Sequence, residues 1–517
     1  MIPDGTPGAT TAGGAPAAAP RDGGATLDDL FRRAVAARPD APALLDPPDR
    51  EGFTDGAPRR LTWAEADRVV SAIASLLTSL GLPAGAIVAL QLPNTVESVL
   101  TLMGVLRAGL IAAPLPLLWR QAEACAALGR ISARVLVSCR RVGDSDHAEL
   151  AMHVAAETFA IRFVCGFGHA VPDGIIPLDE VFDAALPAPP PALDRAGDPA
   201  GRIAVVTFDV TFDGLVPVAR SHRELIAGGE AVAGAAGIAS GATLLGALLT
   251  ASFAGIGATV VPWLLSGGTL WLHQPFNPAV LARQRCDVAL LPGPLLPRMV
   301  EAGLIGSPAP TTIVAVWRAP ERMGASPAWP GGDSLVDVPV FGEVGLVALR
   351  RGADGMPAAL PAQSRAHDGA ATAAVELVRS AAGTLAMRGA MVPAHPCPPG
   401  SARGDQFNLK IGADGFVDTA FPCHFDRTAE RLVIDGPPAG IVSVGGYRFA
   451  LRDLQDLVAP IDADGSVAAL PDVLAGHRLA GVGNDRGAIR DKLAEQGTNP
   501  LVVGAFRDKR PGRASAA

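Results

Sequence analysis

The stretch Val206–His222 reads "VTFDVTFDGLVPVARSH". It follows a Pro-rich break, begins with strand-forming residues and runs into "RSHREL", which reads as a helix opening. A strand, a loop holding Gly214 and a helix form the order in which phosphate-binding loops are built, because a helix N-terminus and the loop N–H groups can face an anion. Yet the residues available for such a loop here are Phe, Val and Asp.

The chain around it has 517 residues, enough for two to four structural units. Apolar residues make up 49% and aromatic residues 5%, so the core must be built from Ala, Val and Leu. Net charge is −8, with no basic stripe or aromatic-plus-basic platform, which argues against a nucleic-acid partner. Lysine occurs only as Lys410, Lys492 and Lys509, so chemistry that needs a lysine upstream of 410 is not available. The six cysteines show no CxxC and no disulfide framework; core thiols in a reducing cytoplasm are the expectation. His395, Cys397, Cys423 and His424 share one third of the chain and are a weak zinc candidate.

Residues 1–25 read as a disordered Gly/Ala/Pro tail without the pattern of a signal peptide. The longest apolar run, "LLGALLTASFAGIGATVVPWLLSGGTLWL", is broken by Gly, Ser, Thr and Pro. It fits a buried helix, turn and strand better than a membrane span. Thr26 and Thr62 stand as helix N-caps, the second with Glu65 as a capping box, and Gly81 as a helix stop. Apolar strands such as "AIVALQLP" and "ARVLVSC" alternate with helices, the pattern of a parallel sheet covered on both faces. After a stiff connector at 185–201 a second alternating region follows, and from about 341 short strands and turns indicate a β-rich unit.

Six ordered blocks then resemble the acyl-CoA synthetase, or AMP-dependent ligase, family of adenylate-forming enzymes. They are "PNTVESVLTLMGVLRAGL…ARVLV", "RSHREL", "GGTLWLHQPFNPAVLARQRCDVALLPGPLLPRMVEAGL", "FGE", "GTLAMRG" and "DGFVDTAF…GIVSVGGYRFALRDLQDLV". The resemblance implies an α/β fold with a large N-terminal domain, 26–435, in three subdomains (about 26–200, 201–340 and 341–435). A small, shortened α+β C-terminal domain, 436–517, would follow it. It also implies two half-reactions: a carboxylate attacks Mg·ATP to give an acyl-adenylate, and a thiol, usually of coenzyme A, then takes the acyl group.

The family's phosphate loop, "TSGTTG-PKG", falls on 208–217, where Thr211 alone keeps its type, Gly214 is the nearby glycine and Val216 stands at the lysine position. Asp209 and Asp213 would face triphosphate. At ~4 Å and an effective dielectric near 20, a like charge costs about 4 kcal/mol, so a normal ATP grip is not expected. The resemblance makes Glu343 the candidate Mg²⁺ carboxylate. Thr211, Asp213, Gly214, Asp418 and Thr419 become the nucleotide candidates, although Phe421 replaces the ribose Asp and Pro437 the ribose Arg. Gly445, Gly446 and Tyr447 form the loop expected near a thioester site, and Ser252 replaces the family's active-site His. Lys509 is the remaining stand-in for the C-terminal catalytic lysine.

Two readings follow. One is an acyl-CoA ligase with an atypical site, using ATP, Mg²⁺ and CoA on a small carboxylate. The other is an inactive family member, without cofactor, that binds an acyl group, an acyl thioester or a protein partner. The replaced polar positions favour the second.

Overall fold

The computed structural model describes residues 24–182, 197–274, 285–301, 312–330, 334–361, 375–395, 397, 409–428 and 430–507. Residues 1–23, most of the connector and Lys509 lie outside the described residues.

The helices start where capping chemistry dictates. Thr26 and Thr62 each accept an N–H three residues on while Asp29 and Glu65 reach back, opening helices Leu27–Ala37 and Trp63–Ser79. Ser221 and Glu224 do the same for helix His222–Ala236. Beyond Ser79 the chain turns away at Gly81, whose φ is +65°.

Two large sheets carry the alternating regions. In a nine-stranded sheet, Pro42–Leu45, Thr269–Leu272, Thr243–Gly246, Val288–Pro292, Thr312–Trp317 and Leu335–Phe341 run parallel as neighbours. In a seven-stranded sheet, Ile111–Pro114, Ile87–Leu90, Val135–Cys139, Phe163–Phe167 and Ile175–Pro177 are parallel neighbours, and Ile203–Thr211 joins them in parallel beside Ile111–Pro114. The core between them includes Trp63 stacked on Trp263 at 4.7 Å with Phe31 edge-on to both, each such pair adding about 0.5–1.5 kcal/mol beyond burial. Helix His222–Ala236 approaches the helical segment 253–266 through Gly229, where a Cβ would lie 2.2 Å from Val261 Cγ1.

The long apolar run is a strand, a helix with a π-helical turn at Ile256–Val260, and a second strand. No helix among the described residues is long and apolar enough to cross a membrane. The β-rich region forms a five-stranded sheet built around Val417–Asp426. A four-stranded antiparallel sheet follows, in the order Tyr447–Ala450, Ile441–Val444, Gly476–Val482, Ser466–Asp472, and helix Arg486–Glu495 comes after it.

One local reading is corrected. The segment 208–217 is not an open loop between a strand and a helix. Strands Ile203–Thr211 and Gly214–Ser221 pair antiparallel in unbroken register from Val205↔Arg220 to Thr211↔Gly214, leaving only Phe212 and Asp213 in the turn. Gly214, at φ +102°, closes it.

Candidate active-site cleft

The hairpin decides the chemistry of its neighbourhood, because a phosphate loop works through N–H groups turned inward onto anions. Here register-matched pairing leaves room for no such nest. Thr211 donates its hydroxyl to the Gly214 carbonyl at 3.1 Å and accepts the Asp213 N–H at 3.2 Å, so it fastens the turn. Asp213, exposed at the tip, pairs with Lys410 at 2.8 Å. Phe212 rests against Gly440 in the 436–440 linker, and Arg452 lies over its ring at 5.2 Å.

Asp209 points the other way, into the protein. Its Oδ1 meets Arg448 Nη1 at 2.5 Å and its Oδ2 accepts the Glu343 N–H at 2.9 Å. The charge expected to repel a triphosphate is thus already held by a guanidinium from the C-terminal sheet.

Glu343 is 2% exposed. Its Oε2 accepts the Phe253 N–H at 2.7 Å, and its Oε1 lies 3.8 Å from Arg318. Burial pushes its carboxyl above the ordinary range, opposed by Arg318 and Arg220. Arg220 is buried as well, donates to the Glu343 and Val344 carbonyls and covers the Phe253 ring at 3.8 Å; desolvation lowers its pKa to about 10. A cation at Glu343 would meet Oε1 beside the Arg318 guanidinium, because Oε2 is held by the Phe253 N–H, and a second guanidinium, Arg220, lies in the core nearby. The two neighbouring positive charges oppose a magnesium ion at this carboxylate. Among the described residues no three His, Cys, Asp or Glu side chains gather into a metal-binding group, the His395, Cys397, Cys423 and His424 candidates included.

The two ribose-side candidates are elsewhere. Asp418 accepts the Thr384 hydroxyl at 2.7 Å and the Ala420 N–H at 2.8 Å. Thr419 donates to the Leu385 carbonyl at 2.7 Å, and Phe421 packs edge-on against Phe341. These contacts hold a strand bend, and neither Asp418 nor Thr419 lines the cleft described next.

That cleft has a volume of about 370 Å³ and lies between the C-terminal ends of the parallel strands and the C-terminal sheet. Gly445, Gly446 and Tyr447 do line it, as does Ser252. Val444 pairs with Tyr447 across a two-residue turn whose glycines have φ +57° and +88°, a backbone that suits Gly–Gly as it does Asn–Gly and Asp–Gly. Ser252 caps the helix at Gly255 with its hydroxyl at 3.2 Å. The residues the sequence reading passed over are Arg318, directly after strand Thr312–Trp317, and Arg448, directly after Tyr447. Arg318 stands just beyond the C-terminal end of a parallel strand, the usual place for site residues in α/β folds, and Arg448 is the second residue of strand Tyr447–Ala450.

Residues 31–185 match the family described as AMP-binding enzyme. The chain is 35% identical over 95 residues to the beauvericin nonribosomal cyclodepsipeptide synthetase of Gibberella fujikuroi, a match covering 18% of this chain and 3% of that synthetase. Among solved structures, the amide bond synthetase McbA from Marinactinospora thermotolerans superposes with a TM-score of 0.70 at 19% identity, covering 92% of this chain and 94% of that one. A double mutant of the o-succinylbenzoate CoA synthetase of Bacillus subtilis superposes with a TM-score of 0.68 at 14% identity, covering 91% and 92%. The fold is therefore that of adenylate-forming enzymes, as the resemblance implied, and residues 31–185 match the AMP-binding enzyme family.

Proposed function

Starting from the adenylate-forming fold, we propose that this chain binds an acyl group or acyl thioester in the cleft and does not form acyl-adenylates. The observation that carries this reading is the hairpin at 208–217, whose backbone is paired through to a two-residue turn. Two further features support it. Asp209 is held by Arg448, and the Arg322 guanidinium donates to the Val473 and Leu474 carbonyls, so the C-terminal sheet is fastened across the cleft at two points. The 436–440 linker, with Pro437 and Pro438, is a stiff segment for a rotating domain.

In this reading the chain divides into a large domain, 26–435, and a small one from 436. Gly445, Gly446 and Tyr447 form the wall against which an acyl thioester lies. Coenzyme A or another acyl-carrying thiol enters as part of the ligand and not as a co-substrate. Six free cysteines support a reducing, cytoplasmic setting.

The test is calorimetry of the intact chain with Mg·ATP, together with pyrophosphate release over a panel of carboxylic acids. We expect no binding at micromolar ATP and no pyrophosphate. ATP binding coupled to pyrophosphate release would overturn the proposal and restore the acyl-CoA ligase reading.

A further inference from the structure

The C-terminal unit is fastened at the cleft through Arg448 and through Arg322, and a third attachment lies away from the cleft lining, at the start of helix Gln121–Ile131. Helix Arg486–Glu495 ends in a Schellman turn. The Gly497 N–H donates to the Ala494 carbonyl at 3.0 Å and the Thr498 N–H to the Leu493 carbonyl at 3.1 Å, with Gly497 at φ +64°. The Gly497 carbonyl then accepts the Ala122 N–H at 3.2 Å, one of the donors that the first turn of a helix leaves without a partner in its own helix. Glu123 closes the joint in the other direction. Its Oε2 accepts the Arg120 N–H at 3.0 Å, and its Oε1 accepts the Asn499 N–H at 2.9 Å. One loop thus ends a helix of the C-terminal unit and caps a helix of the large domain. The approach is so close that a Cβ at Gly497 would lie 2.8 Å from Gln121 Cβ.

The joint holds, yet it is not fully satisfied. Thr498 and Asn499 are 4% and 1% exposed, and neither Thr498 Oγ1 nor Asn499 Nδ2 has a hydrogen-bond partner among the described residues. Burial also pushes the Glu123 carboxyl above its ordinary range. Buried polar atoms without partners and a desolvated carboxylate both favour a state in which water reaches them. Two residues before Arg120, the Leu118 backbone meets the hydroxyl of Tyr447, which lines the cleft. Residues 118–123 therefore carry two separate parts of the C-terminal unit. We propose that loop 497–499 is a release catch: while it caps helix Gln121–Ile131 the turn of Gly445, Gly446 and Tyr447 stays in the cleft wall, and when it lifts the turn leaves with it. The catch works alike for any ligand of the cleft and is independent of the acyl-binding reading above.

Tyr447 is the single tyrosine of the chain, so its nitration by tetranitromethane in the intact, ligand-free protein reports release of the turn. Hydrogen exchange over 497–503 reports the catch itself, and exchange in helix Trp63–Ser79 measures global unfolding. Glu123→Ala strands two N–H groups and should raise both rates roughly tenfold or more, the factor for lost hydrogen bonds to a charged group. Thr498→Val removes a buried hydroxyl without a partner at little change in shape and should slow both. Faster exchange over 497–503 in Glu123→Ala with Tyr447 nitration unchanged would overturn the proposal, since the joint would then act only locally. Unchanged exchange in that variant, or Thr498→Val rates at or above those of the wild type, would overturn it as well. Thr498→Val decides the matter if Glu123→Ala fails to fold. Calorimetry with Mg·ATP and pyrophosphate release bear on adenylation and leave these rates untouched.

Discussion

Arg448 and Asp209 form an ion pair of 2.5 Å with both side chains less than one-tenth exposed, and it joins the C-terminal sheet to the hairpin strand that would otherwise lead into a phosphate loop. The guanidinium also lies 5.5 Å from the Phe421 ring, and both partners line the cleft.

Arg448→Ala leaves a carboxylate buried without its cation, a loss of about 3–5 kcal/mol. Thermal unfolding should begin at lower temperature, and hydrogen exchange over 441–507 should accelerate. The Asp209→Ala, Arg448→Ala double variant should recover part of the loss. Equal losses in the single and double variants would mean that the ion pair is not what holds the two units together.

Supplying the one side chain that the resemblance expects should not confer nucleotide binding. Val216→Lys supplies a lysine at the family position, but Val216 remains paired with Asp209 in the hairpin. Calorimetry of this variant with Mg·ATP should still show no binding below millimolar concentration. A dissociation constant in the micromolar range would show that the strand pair opens readily.

Gly214→Ala places a Cβ at a backbone with φ +102°, a region that L side chains rarely occupy. The expected loss is about 1–2 kcal/mol, read as a lowered midpoint in urea unfolding. An unchanged midpoint would mean that the turn relaxes to another form.

His222 and His147 are buried and neutral, and desolvation lowers the pKa of each from 6.5 to about 4. His222 Nδ1 accepts the Leu27 N–H at 3.2 Å, which a protonated ring cannot do. Between pH 4 and 6.5 the unfolded chain binds more protons than the folded one. Stability from these groups is therefore fully present above about pH 6.5 and is lost as pH falls toward 4. Each contributes on the order of 3 kcal/mol. Melting temperatures measured from pH 7 to pH 4.5 should fall, and His222→Gln should flatten the slope.

The sequence disclosed the fold through signals that are local and physical. Thr62, Glu65 and Gly81 mark one helix from cap to stop, and the apolar strands declare parallel sheets because they are buried on both faces. The site was less legible. Position alone made 208–217 a loop, while its own alternation of Val, Phe and Val with Thr and Asp, ending in Asp213–Gly214, is a hairpin signal. Asp209 was recognised as a charge hostile to phosphate, but its partner lies 239 residues later and no local pattern announces it. Arg318 carries no motif; only the sheet order shows that it leaves a strand at the mouth of a cleft.

Strand Gly214–Ser221 is also the outermost strand of the seven-stranded sheet. Such an edge is a template for another copy's backbone and hence a route to aggregation. Here Pro217 removes one donor from the strand, and Arg130 covers the Leu215 carbonyl. The segment whose place in the chain resembles a phosphate loop thus ends as a guarded border, and concentrated solutions of the protein should resist sheet-to-sheet self-assembly from this side.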